Sequence, residues 1–326
     1  MKLQNLRIKS LRDNTTGKTQ ITDFMFMYSP IEFVMYNNTN IKLKIFRFEL
    51  EMDKHSKMKQ AICYRLFKKH GVILSPAKLE SLFESYILPD DIIKFIEEDR
   101  EYFDKFEEIV EVHDDIRNAF GIYKVLRNYF EENGKYHYKK VKITEDGGQV
   151  KEIDTIDYYE PNDPDLFTII IVDNINLLSP EKGMTKYDTI EKFSSDYMVR
   201  LRNRFGAIPV IIQQQTLGKE SNESIKLDRT KASADGLADN KSTSKDCNVM
   251  FTLYSPFRNK IQTYNKYDIT KLRDRYRELS IEANRDGIMC TTDLYFDGAI
   301  NFFSELNKSE LMTDSIYSQI AKGGYK

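Results

Sequence analysis

Tryptophan is absent from the 326 residues, and cysteine occurs only at Cys63, Cys247 and Cys290. The three cysteines are too far apart to form a CxxC pair, so the chain offers neither a zinc framework nor a disulfide scaffold, and a reducing cytoplasm suits it best. Long apolar runs are also missing. The longest, around 169–172, falls far short of the roughly 20 residues that a bilayer-spanning helix needs, and the basic start, 1–13, has no apolar stretch behind it. Neither secretion nor a membrane span is expected. Net charge is nearly absent: 49 basic and 51 acidic side chains leave −2, so any attraction to nucleic acid has to come from local patches. The four histidines, His55, His70, His113 and His137, are scattered without metal-ligand spacing and are expected to be structural or exposed. What the chain does have is an ordinary hydrophobic share of 40%, enough for one large core or two smaller ones.

Three apolar runs rich in β-branched residues and bounded by turn formers, 41–48, 166–172 and 207–212, predict buried strands. Helical spacing marks 57–70, where Met58, Ile62, Leu66 and Phe67 share a face, and also 76–88, 90–109 and 187–205. Strands alternating with helices imply a parallel sheet covered on both faces. Pro89 followed by Asp90 and Asp91 predicts a helix stop and restart, with aspartate as the cap. The charged segment 134–165, with Gly147-Gly148 and two prolines, predicts an exposed hairpin or insertion, and the polar segment 221–244 a mobile surface loop. Strand character returns at 248–253, 279–283 and 291–296. The tail, 304–326, predicts a short helix with a frayed end.

Four local patterns carry chemistry. Gly17-Lys18-Thr19, ahead of a helix-compatible stretch, suits the end of a phosphate-binding loop. Gly17 would let backbone amides approach a phosphate, Lys18 would reach its oxygens, and the Thr19 hydroxyl would ligate Mg²⁺. The full pattern asks for glycine where Arg12 stands and for a hydrophobic strand upstream, so the loop reads as incomplete. The run 167–173 ends β-branched residues in Asp173, the form of a buried strand that delivers an acid to Mg²⁺; its structural alternative is a core strand closed by an Asp-Asn turn. Phe48-Glu49-Leu50-Glu51-Met52 ends the 41–48 strand with a carboxylate able to deprotonate a water, or alternatively with an exposed acidic helix start. Finally, 208–215 is a buried strand whose exit carries the amides Gln213, Gln214 and Gln215, placed to sense a γ-phosphate.

The order of these patterns resembles the ATPase core of DnaB-type replicative helicases, which run GKT, a Phe-x-Leu-Glu-Met box, an aliphatic strand ending in Asp, and Pro-Val-Ile leading to Gln. Two further stretches are similar: 245–254 to the family's Gln-Asp-Ala-Asp strand, and Asn284-Arg285-Asp286-Gly287 with Phe296-Asp297-Gly298 to its Arg-Asn-Gly hairpin and closing strand. The resemblance covers about 15–303. It implies a RecA-like α/β fold, a mostly parallel twisted sheet flanked by helices with a C-terminal antiparallel hairpin extension. One domain would occupy 1–303, with 134–165 as a surface insertion and 216–245 as mobile loops, followed by the tail.

By the same resemblance, Gly17, Lys18 and Thr19 bind ATP, Thr19 and Asp173 hold Mg²⁺, Glu51 is the catalytic carboxylate and Gln215 the sensor. Arg285 falls where the family places the arginine that a neighbouring subunit inserts toward the γ-phosphate, although Ala283 replaces the family's basic residue two positions earlier. The implied assembly is a homo-oligomeric ring, a hexamer, acting on single-stranded DNA in the cytoplasm of a bacterial cell or phage-infected host, with a primase or loader as possible partner. Loop lysines and arginines, Lys219, Lys226, Arg229 and Lys231, are the candidate DNA contacts; their alternative is a solvated surface diluted by neighbouring acids. Arg200, Arg202 and Arg204 predict a helix surface or subunit contact. Two other functions compete with a helicase: a RecA-fold ATPase serving as a recombination accessory or assembly switch without unwinding, and a non-catalytic RecA-like structural protein.

Overall fold

A computed structural model describes residues 16–80, 86–144, 149–214, 237, 239–323 and 325. The first described helix, α1 (Lys18–Asp23), passes without a break through a π-helical turn (Phe24–Tyr28) into α2 (Ser29–Tyr36). Then follow β1 (Lys42–Glu49), α3 (Lys54–His70), α4 (Pro76–Leu79), α5 (Asp90–Glu98), α6 (Arg100–Ile109), β2 (Val110–His113) and α7 (Ala119–Glu132). A long hairpin, β3 (Gly134–Thr144) and β4 (Val150–Pro161), leads to β5 (Leu166–Asp173), α8 (Lys186–Lys192), α9 (Val199–Phe205) and β6 (Ile208–Ile211). The last part holds β7 (Val249–Tyr254), the short ribbon β8 (Thr263–Tyr264) and β9 (Tyr267–Asp268), β10 (Tyr276–Asn284), β11 (Thr291–Asp297), β12 (Phe302–Glu305) and a C-terminal helix, Asp314–Lys322.

The described strands form two four-stranded sheets, β2-β1-β5-β6 and β12-β11-β10-β7, besides the two ribbons. All pairings of the first are parallel, and those of the second are antiparallel. The fold is thus the expected α/β one, with an antiparallel extension of four strands rather than one hairpin. Alternation along β1, β5 and β6 divides the interior in two. Leu43, Ile45, Ile169, Ile171, Ile208 and Val210 face one apolar cluster, together with residues of α3, α6 and the antiparallel sheet. Phe46, Phe48, Ile170, Val172 and Ile211 face another, built with α7 and α9.

Several segments differ from the periodicity-based expectation, each for a visible reason. The 90–109 helix is two helices that meet at Asp99, a buried carboxylate drawn toward α3 by Arg65 at 2.9 Å, Lys69 at 2.7 Å and His70 at 3.1 Å. Burial pushes the Asp99 carboxyl up, but these donors outweigh it and hold it below its usual value. At the restart, Pro89 occupies the cap position without a side-chain bond, and Asp90 and Asp91 sit in the first turn, where acids complement the helix dipole. The expected 76–88 helix is described only as α4; 86–89 are not helical, in keeping with the bias that Pro89 imposes on its predecessor. The 187–205 helix contains a π-helical turn, Phe193–Met198.

The 134–165 insertion is the expected hairpin, its strands paired from Gly134↔Pro161 to Thr144↔Val150. Of the expected mobile stretch 216–245, most lies outside the described residues, but Ser242–Asp246 forms a 3₁₀ turn with Thr243 buried. In the tail, Tyr317, Ile320 and Tyr325 join the larger apolar cluster, so this segment packs on the body of the fold.

Candidate nucleotide site

The three parallel strands β1, β5 and β6 end at the same edge, and each exit carries a polar side chain: Glu49 and Glu51, Asp173 and Asn174, Gln213 and Gln214. Carboxyl ends of parallel strands are where open α/β sheets bind ligands. The register Glu49↔Asp173 sets the β1 and β5 exits side by side. Gly17 sits above them, capping α1 in a left-handed conformation at φ 95°. The Thr19 hydroxyl donates to Asp173 Oδ2 at 2.6 Å across 154 positions of sequence. A hydroxyl and a carboxylate oxygen at that distance are a donor set suited to Mg²⁺, a hard ion that takes few protein ligands and completes its shell with water and phosphate. Among the described residues no group of three or more His, Cys, Asp or Glu is placed to hold a metal.

Gly17 is required by its surroundings as well as its dihedral. A Cβ there would lie 3.1 Å from the Phe296 ring. Gly17→Ala is therefore expected to cost about 1–2 kcal/mol from the left-handed backbone alone and to displace the loop. The checks are a thermal melt and a nucleotide titration, both of which should weaken. Next to Gly17, Thr16 is held by Arg277 of β10, a fully buried guanidinium whose Nε donates to the Thr16 carbonyl at 2.6 Å. Arg277 also bonds the Asp274 and Tyr276 carbonyls at 2.8 and 2.7 Å and lies 4.4 Å from the Phe296 ring centre. Burial pushes Arg277 down to about 10. The antiparallel sheet thereby anchors the residue that precedes Gly17.

Beneath the loop lies a buried ionic cluster that periodicity did not reveal. Arg47 of β1 pairs with Asp23 of α1 at 2.9 Å, with Asp173 at 3.1 Å and with Glu49. Lys57 of α3 pairs with Asp23 at 3.0 Å and Glu49 at 3.1 Å. Arg47, Asp23 and Glu49 have no exposed side-chain surface, so their charges are stable only as partners. Burial pushes Arg47 down, but Asp23, Glu49 and Asp173 together raise it above its ordinary value. One signal was available in the sequence: Arg47 and Glu49 are opposite charges two apart, hence on one face, within a strand otherwise apolar over its inner half.

Glu51 stands just past β1 at an exposed position, and both Asn174 Nδ2 and Gln214 Nε2 donate to its Oε1, the latter at 3.0 Å. Burial raises the Glu51 carboxyl above its ordinary value and Asp173 adds to this, while Lys18, Lys57 and the Asn174 amide pull the other way. Lys18 is buried. The structure thus brings Gly17, Lys18, Thr19, Glu51 and Asp173 to one edge. Gln215 and the candidate DNA contacts Lys219, Lys226, Arg229 and Lys231 lie outside the described residues; of the two described glutamines at the β6 exit, Gln214 is the one whose amide reaches Glu51. Arg285 is exposed just beyond β10. Its guanidinium donates to the Lys245 carbonyl, and its backbone amide donates to the Asn248 carbonyl at 3.0 Å. Arg202 grips the same stretch, through the Asp246 carbonyl and Asn248 Oδ1, both at 2.8 Å. Ala283 lies at a register shift between β10 and β7.

No protein-family model matches the chain, and no protein of curated function does. Among solved structures it is similar to a DnaB-like replicative helicase, studied with its interactions with primase, at a TM-score of 0.61 and 15% identity over 93% of this chain. The chain spans 59% of the length of that helicase. It is similar also to the ATPase domain of the phage SPP1 helicase, with a TM-score of 0.61 and 14% identity over 94% of this chain and 86% of that one. The fold is that of a DnaB-type helicase core. At this level of identity the likeness concerns the fold, and the chemistry has to be argued from the residues. No helix among the described residues is long and apolar enough to cross a membrane.

Proposed function

We propose that the chain is an ATP-driven motor of the helicase or translocase type, hydrolysing ATP at subunit interfaces and acting on single-stranded DNA in replication. The observation that carries this reading is the Thr19–Asp173 hydrogen bond of 2.6 Å, with Glu51 at the neighbouring strand exit. Lys18 would bind phosphate oxygens beside the Gly17 backbone, and Thr19 and Asp173 would hold Mg²⁺, which when bound would supply charge neutralisation on the phosphates. Glu51 accepts the proton of a water whose oxygen bonds to the γ-phosphorus, the bond to the β,γ-bridging oxygen breaks, and ADP and phosphate leave. The raised carboxyl of Glu51 makes it a better base near neutral pH than an ordinary glutamate.

In this reading Gln215 senses the γ-phosphate and Arg285 serves the site of a neighbouring subunit in a homo-oligomeric ring, which we take to be a hexamer. Lys219, Lys226, Arg229 and Lys231 contact the DNA backbone, and a primase or loader is the natural partner class. The setting is the cytoplasm of a bacterial cell or phage-infected host. ATP turnover measured with and without single-stranded DNA tests the proposal: Mg²⁺-dependent turnover should rise with DNA and disappear in Lys18→Ala. Strand displacement on a forked substrate then separates a helicase from an ATPase that switches assembly without unwinding. Absence of both nucleotide binding and turnover would contradict a motor and favour a structural protein.

A further inference from the structure

Four side chains at the β1, β5 and β6 exits close a ring of hydrogen bonds. Asn174 Nδ2 donates to Glu51 Oε1. Asn174 Oδ1 accepts the backbone amide of Asn176 at 3.0 Å, and Asn176 Oδ1 accepts the backbone amide of Gln214 at 2.7 Å. Gln214 Nε2 then returns to Glu51 Oε1 at 3.0 Å. Because Asn174 Oδ1 accepts a backbone N–H, the Asn174 amide is turned with its NH₂ toward Glu51, and its orientation follows from the network rather than from choice. Asn174 and Asn176 are almost wholly buried. Asn176 is pinned further by its Nδ2 bond to Asp239 Oδ2 at 2.7 Å.

We infer that Asn174 and Gln214 are positioning residues for Glu51, a two-amide clamp that holds Oε1 and leaves Oε2 to take the proton from the attacking water. The inference rests on the reading of Glu51 as the base. A carboxylate on the flexible side chain of a loop residue samples many rotamers, and a base acts only when aimed. Two donors on the same oxygen fix both the torsion and the choice of oxygen. Donors to a carboxylate also favour its charged form, opposing the burial that raises its proton affinity. The ring ties the clamp to the strand that leads to the sensor: Gln214 is held through its backbone by Asn176 and through its side chain by Glu51. A shift in the β6 exit would therefore move the base.

The experiment is steady-state ATP hydrolysis by the full chain with single-stranded DNA, comparing Asn174→Ala, Gln214→Glu and the double variant, with Glu51→Gln as reference. Gln214→Glu keeps the side-chain volume at a partly exposed position and replaces the amide donor with a second carboxyl facing Glu51, so it is readable even where Asn174→Ala perturbs the fold. A clamp predicts that each single variant lowers kcat about 10- to 100-fold with KM for ATP changed by no more than about twofold. The double variant should lose little more than either single one, because members of one network do not add. Unchanged kcat in Gln214→Glu, or a KM that rises as kcat falls, overturns the inference. Retention of turnover in Glu51→Gln overturns the reading beneath it, a result distinguishable from failure of the clamp alone.

Discussion

Glu51→Gln is expected to lower kcat by about 10²- to 10⁴-fold, the range by which positioned general bases accelerate reactions, while the protein remains at least as stable as before. Glutamine keeps the shape and an oxygen able to accept from Asn174 and Gln214, but it cannot take a proton from water. The stability side follows from the direction of the Glu51 shift. Burial, reinforced by Asp173, raises its carboxyl above the ordinary 4.5. A group whose pKa is raised on folding contributes stability that is full below its unfolded value and lost as pH climbs through the folded one. The native chain should therefore give up a little stability as pH rises above about 4.5, and the Gln variant should lack that decline. In turnover, the acid limb of native kcat should lie above the range of an ordinary glutamate. Steady-state assays and melts across pH read both effects; a Gln variant with undiminished kcat would remove Glu51 from the chemistry.

Arg47→Met should be the most damaging substitution for the fold. It deletes one cation from a cluster in which Asp23 and Glu49 have no exposed side-chain surface, leaving Lys57 to answer both. Breaking a buried pair by removing one partner costs about 3–5 kcal/mol, a large part of the roughly 5–15 kcal/mol that holds a domain together. Denaturant unfolding should show that loss. Adding Asp23→Asn and Glu49→Gln to the same chain should recover part of it, because the penalty arises from the stranded charges. If Arg47→Met unfolds at the native midpoint, the cluster is not the keystone between α1 and β1 that its geometry describes.

The strands at 166–172 and 207–212 were legible because burial on both faces leaves a nearly continuous apolar run, and 41–48 because β-branched and aromatic residues recur between its cations; each appears within a residue or so of its expected place. β2 was not legible: Val110-Glu111-Val112-His113 follows α6 directly and is too short to display a period. α7 could have been found, since Ala119, Ile122, Tyr123, Leu126 and Phe130, all buried, recur at helical spacing, and Asn118 caps it through the Gly121 amide at 2.6 Å. At the site, the linear order of motifs brought out Gly17, Lys18, Thr19, Glu51 and Asp173, since strand exits can be read from where apolar runs stop. Side-chain partnerships between strands were beyond it. That Arg47 meets Asp23, or that Arg277 holds Thr16 from 261 positions away, depends on sheet register and on which helix covers which face. The amides on Glu51 show the same limit: three consecutive glutamines leave β6, and only the geometry shows that Gln214, rather than Gln213, reaches it.

The central claim is that Gly17, Lys18 and Thr19, set against Asp173, bind Mg²⁺-ATP, and its most direct test is titration of the chain with a fluorescent ATP analogue, with and without Mg²⁺, alongside Thr19→Ala. The account predicts saturable binding that needs Mg²⁺ and weakens about 10- to 100-fold when the hydroxyl is removed, the value of one hydrogen bond to a charged group. Failure to bind, or binding indifferent to both Mg²⁺ and Thr19, would contradict it.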